Sequence, residues 1–131
     1  MRFTIDSRSP SPPSEQLADQ VRFAVASGRL APGERLPSVR VLAEEIRINP
    51  NTVSRAWRDL ERDGVLEARR GDGMYVAAGA PRACRAAAEE LVEERLARAV
   101  AEAIGAGMSI DSVFAIVRDG FAREKGRSKA S

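Results

Sequence analysis

The 131-residue chain contains no histidine and a single cysteine, Cys84. Without histidine it lacks the commonest general base, and no cysteine cluster offers a zinc site. One cysteine cannot form an internal disulfide, which fits a reducing cytoplasm. No apolar run approaches the roughly 18 residues of a membrane span, and the opening MRFTIDSRSPSPP lacks the apolar segment of an export signal. We therefore expect a cytoplasmic protein that is neither membrane-bound nor dependent on a metal or organic cofactor.

Charge is nearly balanced. The 21 Lys and Arg residues against 19 Asp and Glu residues leave a net charge of +2. Total charge is therefore a weak argument for nucleic-acid binding, and the distribution of the arginines has to decide. An apolar fraction of 44% can fill the core of one globular domain with a small appendage.

The region from Leu36 to Gly64 predicts two short helices joined by a tight turn. Asn49 and Pro50 mark the start of the second helix, because asparagine caps free N–H groups and proline suits the first helical position. Apolar residues recur at helical spacing in both helices. They are Val39, Leu42, Ala43 and Ile46 in the first and Val53, Ala56, Trp57 and Leu60 in the second. This pattern is typical of a helix-turn-helix.

The opposite face of the second predicted helix is polar. It carries Asn51, Thr52, Ser54, Arg55 and Arg58. Amide and guanidinium groups near the start of a helix can pair with base edges in the major groove of DNA, while the free N–H groups hold phosphate. Surface arginines are often only a solvated face, and Asp59, Glu61 and Asp63 lie near enough to pair with some of them. The Asn-Pro-Asn-Thr start favours DNA contact by Arg55 and Arg58.

After Gly64 the apolar spacing changes from helical to alternating. Two extended runs, 65–70 and 74–76, flank a Gly-Asp-Gly tip, which predicts a β-hairpin. Arginines beside a tip of small residues can approach DNA phosphates or the minor groove. The residues expected to do so are Arg69, Arg70, Gly71 and Gly73. Asp72 is unexpected at such a tip, where its charge opposes contact with phosphate.

Two further helices are predicted after the hairpin, over 82–104 and after Ser109, with a Gly-Ala-Gly break between them. The apolar stripes of these two helices have a larger surface than two helices can hide from water alone. We therefore expect the tail to pack on the predicted helices and hairpin before it, which together have the layout of a winged helix, or on a second copy of the chain. A symmetric partner is the simplest cover. The predicted dimer interface consists of Leu91, Leu96, Val100, Ile104, Val113, Phe114, Val117 and Phe121.

The predicted fold class is mostly α with a small β-hairpin wing (α+β), a winged helix-turn-helix followed by a two-helix C-terminal dimerisation tail. A first helix is expected over about 13–27, and residues 2–5 are a candidate short strand. The predicted divisions are 1–77 for the winged helix-turn-helix, 78–81 for a hinge, 82–125 for the tail and 126–131 for a disordered end.

The stretch LPSVRVLAEEIRINPNTVSRAWRDLERDGVLEARRGDGMYV resembles the DNA-binding domain of the GntR family of bacterial transcription regulators. It has that family's Leu-Pro-Ser-x-Arg opening, its Asn-Pro-Asn-Thr-Val recognition-helix start and its Asp-Gly-x-Leu…Arg-Gly-x-Gly wing. The resemblance covers residues 10–77. It implies DNA contacts from Arg40, Asn49, Asn51, Thr52, Ser54, Arg55 and the wing around Arg70–Gly73.

Arg47 departs from the family pattern, which usually has glycine in the turn between the two helices. Either the turn differs in geometry, or an extra arginine lies beside the DNA backbone. The tail after residue 81 is too short for the larger ligand-binding domains of many members and for an aminotransferase-like domain. A two-helix tail is similar to the YtrA-type subfamily, whose members are commonly dimeric repressors controlling ABC-transporter genes.

The leading hypothesis is a sequence-specific, dimeric transcription regulator that represses a nearby operon and binds a palindromic double-stranded operator. The alternative is a winged helix used for protein interaction or nonspecific architectural DNA binding. In that case acidic residues would replace the polar recognition face, or the wing would lose its arginines, and neither has happened. The sequence lacks the parts of an enzyme active site, because no candidate nucleophile has a partner residue to activate it. Any small-molecule effector would bind in the tail or at the dimer seam.

Overall fold

The computed structural model describes residues 1–130, with side chains for residues 1–127, and that part of the chain contains five helices and one two-stranded antiparallel sheet. The elements are α1 (Pro13–Ala26), α2 (Val39–Ile46), α3 (Pro50–Arg62), β1 (Leu66–Arg69), β2 (Gly73–Val76), α4 (Ala80–Gly105) and α5 (Ile110–Ala130). The predicted fold class, mostly α with a small hairpin wing, is confirmed. No described helix is long and apolar enough to cross a membrane.

The chain divides into two compact units, the first being Met1–Glu90 and the second beginning at Leu91. In the first unit α3 packs against α1, α2 and β1. The core collects the apolar stripes of the three helices, and Leu17, Val53 and Leu60 are fully buried. Trp57 is 3% exposed, so its prediction as a core residue is confirmed. Its indole N–H donates to the backbone oxygen of Pro37 at 3.2 Å, which ties α3 to the start of α2.

Residues 2–5 form no strand, so that expectation is wrong. The side-chain amide of Gln20 takes the place of a neighbouring strand, accepting from Thr4 N at 3.0 Å and donating to Thr4 O at 2.6 Å. Gln16 binds the backbone of Asp6 in the same two-sided way, at 2.8 and 3.1 Å. Phe3 is thereby buried against Trp57, with the ring centroids 5.9 Å apart in an edge-to-face arrangement.

The hairpin of β1 and β2 pairs Leu66 with Val76 at its base and Arg69 with Gly73 at its tip. A third segment flanks it, because Leu36 N donates to Met74 O at 2.8 Å and Val76 N donates to Glu34 O at 2.9 Å. The chain leading into α2 is therefore bonded to the outer edge of β2 at Met74 and Val76.

The first turns of α4 belong to the first unit, because Ala80 and Cys84 are buried in its core. The sequence places a hinge at 78–81 and the tail from 82, whereas the helix begins at Ala80 and the first unit extends to Glu90. Burial raises the pKa of the Cys84 thiol, which keeps it protonated and unreactive near neutral pH.

The second unit contains the remainder of α4 and all of α5. Ser109 Oγ accepts from Ser112 N at 3.1 Å and so caps the start of α5. The helix continues to Ala130, through most of the end predicted to be disordered, and Ser131 lies outside the described residues.

Candidate nucleic-acid interface

The start of α3 is built by local capping. Asn49 is the N-cap, and its Oδ1 accepts from Asn51 N at 2.8 Å, while Pro50 occupies the first helical position. The side-chain oxygen of Asn49 is therefore used to cap the helix, whereas the NH₂ group of the same side chain remains available to a ligand. Asn51 itself is exposed, one residue into the helix. The free N–H groups of the first turn and an exposed amide thus share one end of α3, which suits a phosphate and a base edge.

The polar face of α3 follows from the burial of its opposite side. Arg55 and Arg58 are exposed, whereas Thr52 and Ser54 are half-buried at the edges of that face. All five predicted residues of α3 are thus accessible, and the two arginines project farthest. The structure tests no contact with DNA, and their roles remain predictions.

Asp59 and Asp63 were potential partners for these arginines, but both are paired with other arginines. Arg62 pairs with Asp59 at 3.3 Å, and Arg22 from α1 binds Asp63 at 2.8 Å. Within the described chain, Arg55 and Arg58 make no ion pair. Their guanidinium groups are therefore available to an external anion without breaking an internal contact.

Arg40 lies on α2, near its N-terminus. Ser38 caps this helix, accepting from Val41 N at 3.2 Å. Arg40 is exposed and, like Arg55, has no ion-pair partner among the described residues. It lies in the first turn of α2, among the free N–H groups at the helix start, so a phosphate bound there would be held by both.

Arg47 has the left-handed conformation expected of glycine. It is the C-cap of α2 with φ 55° and ψ 54°, and among the described residues it alone has positive φ without being glycine. The turn geometry is therefore retained, which removes the first of the two alternatives. Its side chain is exposed and unpaired in the described structure, beside the turn into α3. A backbone strained in this way costs about 1 kcal/mol relative to glycine.

Replacement of Arg47 by glycine or by alanine should separate the cost of its backbone strain from the effect of losing its side chain. We expect Arg47→Gly to raise the free energy of unfolding by about 0.5–1 kcal/mol, since glycine relieves the strain. Arg47→Ala removes the same side chain but keeps the strain, so its stability should stay near that of the wild type. Urea denaturation of both variants measures the difference. Equal stability of the two variants would show that the φ angle carries no strain.

The wing tip holds its two arginines differently. Arg70 is exposed in the loop between β1 and β2 and has no ion pair in the described chain. The guanidinium carbon of Arg69 lies 3.8 Å from the centroid of the Tyr75 ring, with Glu67 3.8 Å away. Gly71 has φ 75°, and a Cβ at Gly73 would lie 3.1 Å from Arg35 Nε, so both glycines serve the turn itself. Arg70 is thus the more available arginine.

Two residues beside this tip were missed from the sequence, Arg35 and Tyr75. Arg35 is 37 positions from Asp72, and no local pattern could have joined them. Tyr75 had a weak signal, since the hairpin register places it opposite Glu67 and diagonal to Arg69.

The apolar residues predicted as a dimer interface are mostly exposed. Apart from Met1 and Val41, every exposed large apolar side chain of the described residues lies between Val92 and Phe121. Six of the predicted residues are among them, namely Leu96, Val100, Ile104, Phe114, Val117 and Phe121, while Leu91 and Val113 are half-buried. Residues on both sides of the turn between α4 and α5 line an open apolar cleft of about 250 Å³.

Comparison with known proteins gives a consistent result. Residues 13–76 match the family described as bacterial regulatory proteins, gntR family. The chain is 36% identical over 125 residues to the HTH-type transcriptional repressor YtrA of Bacillus subtilis, covering 95% of this chain and 96% of that protein. The relatives found are transcription regulators.

Solved structures agree in fold. YtrA from Sulfolobus acidocaldarius, a GntR-family transcription factor, superposes with a TM-score of 0.56 at 31% identity, over 74% of this chain and 95% of that one. A GntR family transcriptional regulator from Listeria monocytogenes superposes with a TM-score of 0.72 over 88% of this chain and 98% of that one. At 23% identity, this second likeness bears on the fold alone.

Proposed function

The chain belongs to the GntR family of bacterial regulatory proteins and is a DNA-binding transcription regulator, and from this we propose that it is a dimeric repressor with a palindromic operator. The observation that carries the proposal is the pair of exposed, unpaired arginines on α3, behind an Asn-capped helix start. The extended likeness to a YtrA repressor, over nearly the whole of both chains, supports repression and a YtrA-type assignment.

The proposed division of roles follows from rigidity. Arg55 projects from α3, a helix fixed by the core, so its guanidinium can be aimed at one base edge. Asn51, Thr52, Ser54 and Arg58 extend the same face. Arg70 lies on a loop, where it suits the less exacting contact with phosphate. Arg40 and the turn residue Arg47 would add contacts to the DNA backbone.

Substitution of Arg55 and Arg70 should distinguish base recognition from backbone anchoring. We expect Arg55→Ala to weaken operator binding by roughly 1–3 kcal/mol while changing random-sequence affinity much less. Arg70→Ala should weaken binding to both duplexes alike and reduce the salt slope by about 0.9. Fluorescence anisotropy titrations at several salt concentrations measure both quantities.

Arg62→Ala is the matched control, since this arginine lies on α3 but is occupied by Asp59 and Asp63. Its operator affinity should remain within about twofold of the wild type, as for surface changes away from a site. An Arg55→Ala variant that loses operator and random affinity equally would contradict a base-reading role.

We assign the dimer interface to the tail. Leu96, Val100 and Ile104 on α4 and Phe114 and Phe121 on α5 remain in water in the single chain. Full burial of an exposed side chain of this kind is worth about 1.5–3 kcal/mol, so a second copy that covers both stripes would gain free energy of the same order as the cost of association. Two winged helices joined in this way would occupy two half-sites related by the same two-fold axis.

Footprinting of the purified protein across the DNA upstream of its own gene is the primary test. Protection of two inverted half-sites, retained against excess random DNA, is the expected result. Binding of all DNA equally would instead favour the architectural alternative. We place the protein in the cytoplasm, where its DNA is, and expect no catalytic activity and no loss of operator binding after chelator treatment, since the chain has no histidine.

A further inference from the structure

Asp72 is the anomaly of the proposed DNA-binding surface, because a carboxylate at the wing tip repels phosphate. In the structure, the side chains of two other residues contact it. Arg35 Nη2 donates to the backbone oxygen of Asp72 at 2.5 Å and lies 3.7 Å from its Oδ1. The Tyr75 hydroxyl donates to the other carboxylate oxygen, Oδ2. Both carboxylate oxygens therefore have a partner within the protein.

Tyr75 extends this network to the other strand. Its ring lies under the guanidinium group of Arg69, at 3.8 Å, which is the geometry of a cation–π contact. Arg69 is the last residue of β1, immediately before Arg70. The Tyr75 ring thus connects the carboxylate at one side of the loop to the arginine at the other.

The backbone beneath the network is also joined. Arg35 pairs with Tyr75 across the edge of the sheet, and the flanking bonds of Leu36 and Val76 hold the two segments in register. Arg35 itself lies five residues before Arg40. The network therefore links the wing tip to the segment that leads into α2, two parts of the surface that a single duplex would touch together.

We propose that Arg35, Arg69, Asp72 and Tyr75 form a clasp that fixes the wing tip and so positions Arg70 for the DNA backbone. Asp72 is a positioning residue in this scheme, since it holds the tip and does not contact DNA. The proposal rests on the proposed DNA-binding function. It predicts that removal of the Asp72 side chain weakens DNA binding. Simple electrostatics predicts the opposite, because removal of any acidic charge from the wing would tighten binding.

The first test needs no DNA. Tyr75 is the single tyrosine of the chain, so the ultraviolet absorbance of its phenolate reports on the clasp directly. The hydrogen bond to Asp72 raises the pKa of Tyr75 above its usual value of 10.0, while Arg35 and Arg69 lower it. Asp72→Ala should bring the pKa down. Glu67→Ala, which removes an equal charge opposite Tyr75 but no hydrogen bond to it, should change the pKa less.

Identical tyrosine pKa values in Asp72→Ala and Glu67→Ala would overturn the clasp, whatever the protein does with DNA. Tyr75→Phe supplies the absorbance blank. It also serves as a second clasp variant, because it keeps the ring under Arg69 and removes only the hydroxyl.

The second test measures binding to a random-sequence duplex. Asp72→Ala should weaken it by roughly 3- to 10-fold and lower the salt slope by about 0.9, as for one lost phosphate contact. Glu67→Ala should leave it equal or tighter. In a double-mutant cycle, Arg70→Ala should cost much less in the Asp72→Ala background than in the wild type. Tyr75→Phe, with no change of charge, should also weaken binding.

Tighter binding by Asp72→Ala, or additive effects of Asp72→Ala and Arg70→Ala, would overturn the positioning role. Failure of the wild-type protein to bind any duplex would instead refute the proposed function, and the tyrosine titration would still decide whether the clasp exists. Thermal melts of each variant confirm that the winged helix is folded when it is titrated.

Discussion

Phe114→Asp should convert the proposed dimer to a monomer and weaken operator binding by roughly 10²–10⁴-fold. Phe114 is 56% exposed on α5, within the stripe that we assign to the dimer interface. A buried, unpaired carboxylate at that place would cost several kcal/mol, so two copies could no longer associate. Each winged helix would then bind its half-site independently and lose the effective concentration that linkage supplies. Sedimentation and operator titration of the same samples measure both effects.

Ala115→Asp is the matched control for this experiment. It adds the same charge to an exposed residue of α5, one position along and on the side away from the Phe114 stripe. Its sedimentation and affinity should be those of the wild type. Phe114→Asp protein that still sediments as a dimer and binds as tightly as the wild type would place the interface elsewhere.

Trp57→Ala should have the largest effect on stability, lowering the free energy of unfolding by about 3–5 kcal/mol. That is a large share of the 5–15 kcal/mol that is usual for a domain. Trp57 is a buried residue of α3, whose ring contacts Phe3 and whose indole N–H donates to the backbone oxygen of Pro37. Its removal leaves a cavity that the surrounding backbone cannot fill. Urea denaturation followed by far-ultraviolet circular dichroism measures the loss, since the variant has no tryptophan fluorescence.

Two further variants serve as controls for the stability of Trp57→Ala. Arg58→Ala, an exposed change on the same helix, should stay within about 0.5 kcal/mol of the wild type. Trp57→Phe keeps an aromatic ring against Phe3 but loses the N–H donor, so we expect an intermediate cost. A loss below about 1 kcal/mol for Trp57→Ala would mean that α3 is held in place without this side chain.

The predictable parts of the fold are those with local physical causes. Asn49 was expected as a cap and acts as one, because its side chain and the N–H group that it satisfies are only two residues apart. The wing was evident from alternation around a Gly-Asp-Gly tip. Helical spacing allows Arg62 to pair with Asp59, but it does not indicate which arginine pairs with the acidic residues.

The parts that could not be predicted depend on residues distant in sequence. Gln16 and Gln20 bind the backbone of Asp6 and Thr4, which lie 10 and 16 positions earlier in the sequence, and no local pattern signals these bonds. Arg35 reaches Asp72 only once its segment has joined β2. The start of α4 at Ala80 likewise coincides with the burial of that residue. In each case the structure contains a tertiary contact that the local sequence pattern does not specify.

The segment bonded to the outer edge of β2 has a consequence for self-association. An open strand edge presents unpaired N–H and C=O groups on which another molecule can add a strand, the first step of many aggregates. The backbone around Arg35 occupies the edge of β2. The other strand, β1, is four residues long and carries Glu67 and Arg69, whose charges discourage strand addition. Strand addition at the wing is thereby disfavoured, which is consistent with the proposed association through the tail.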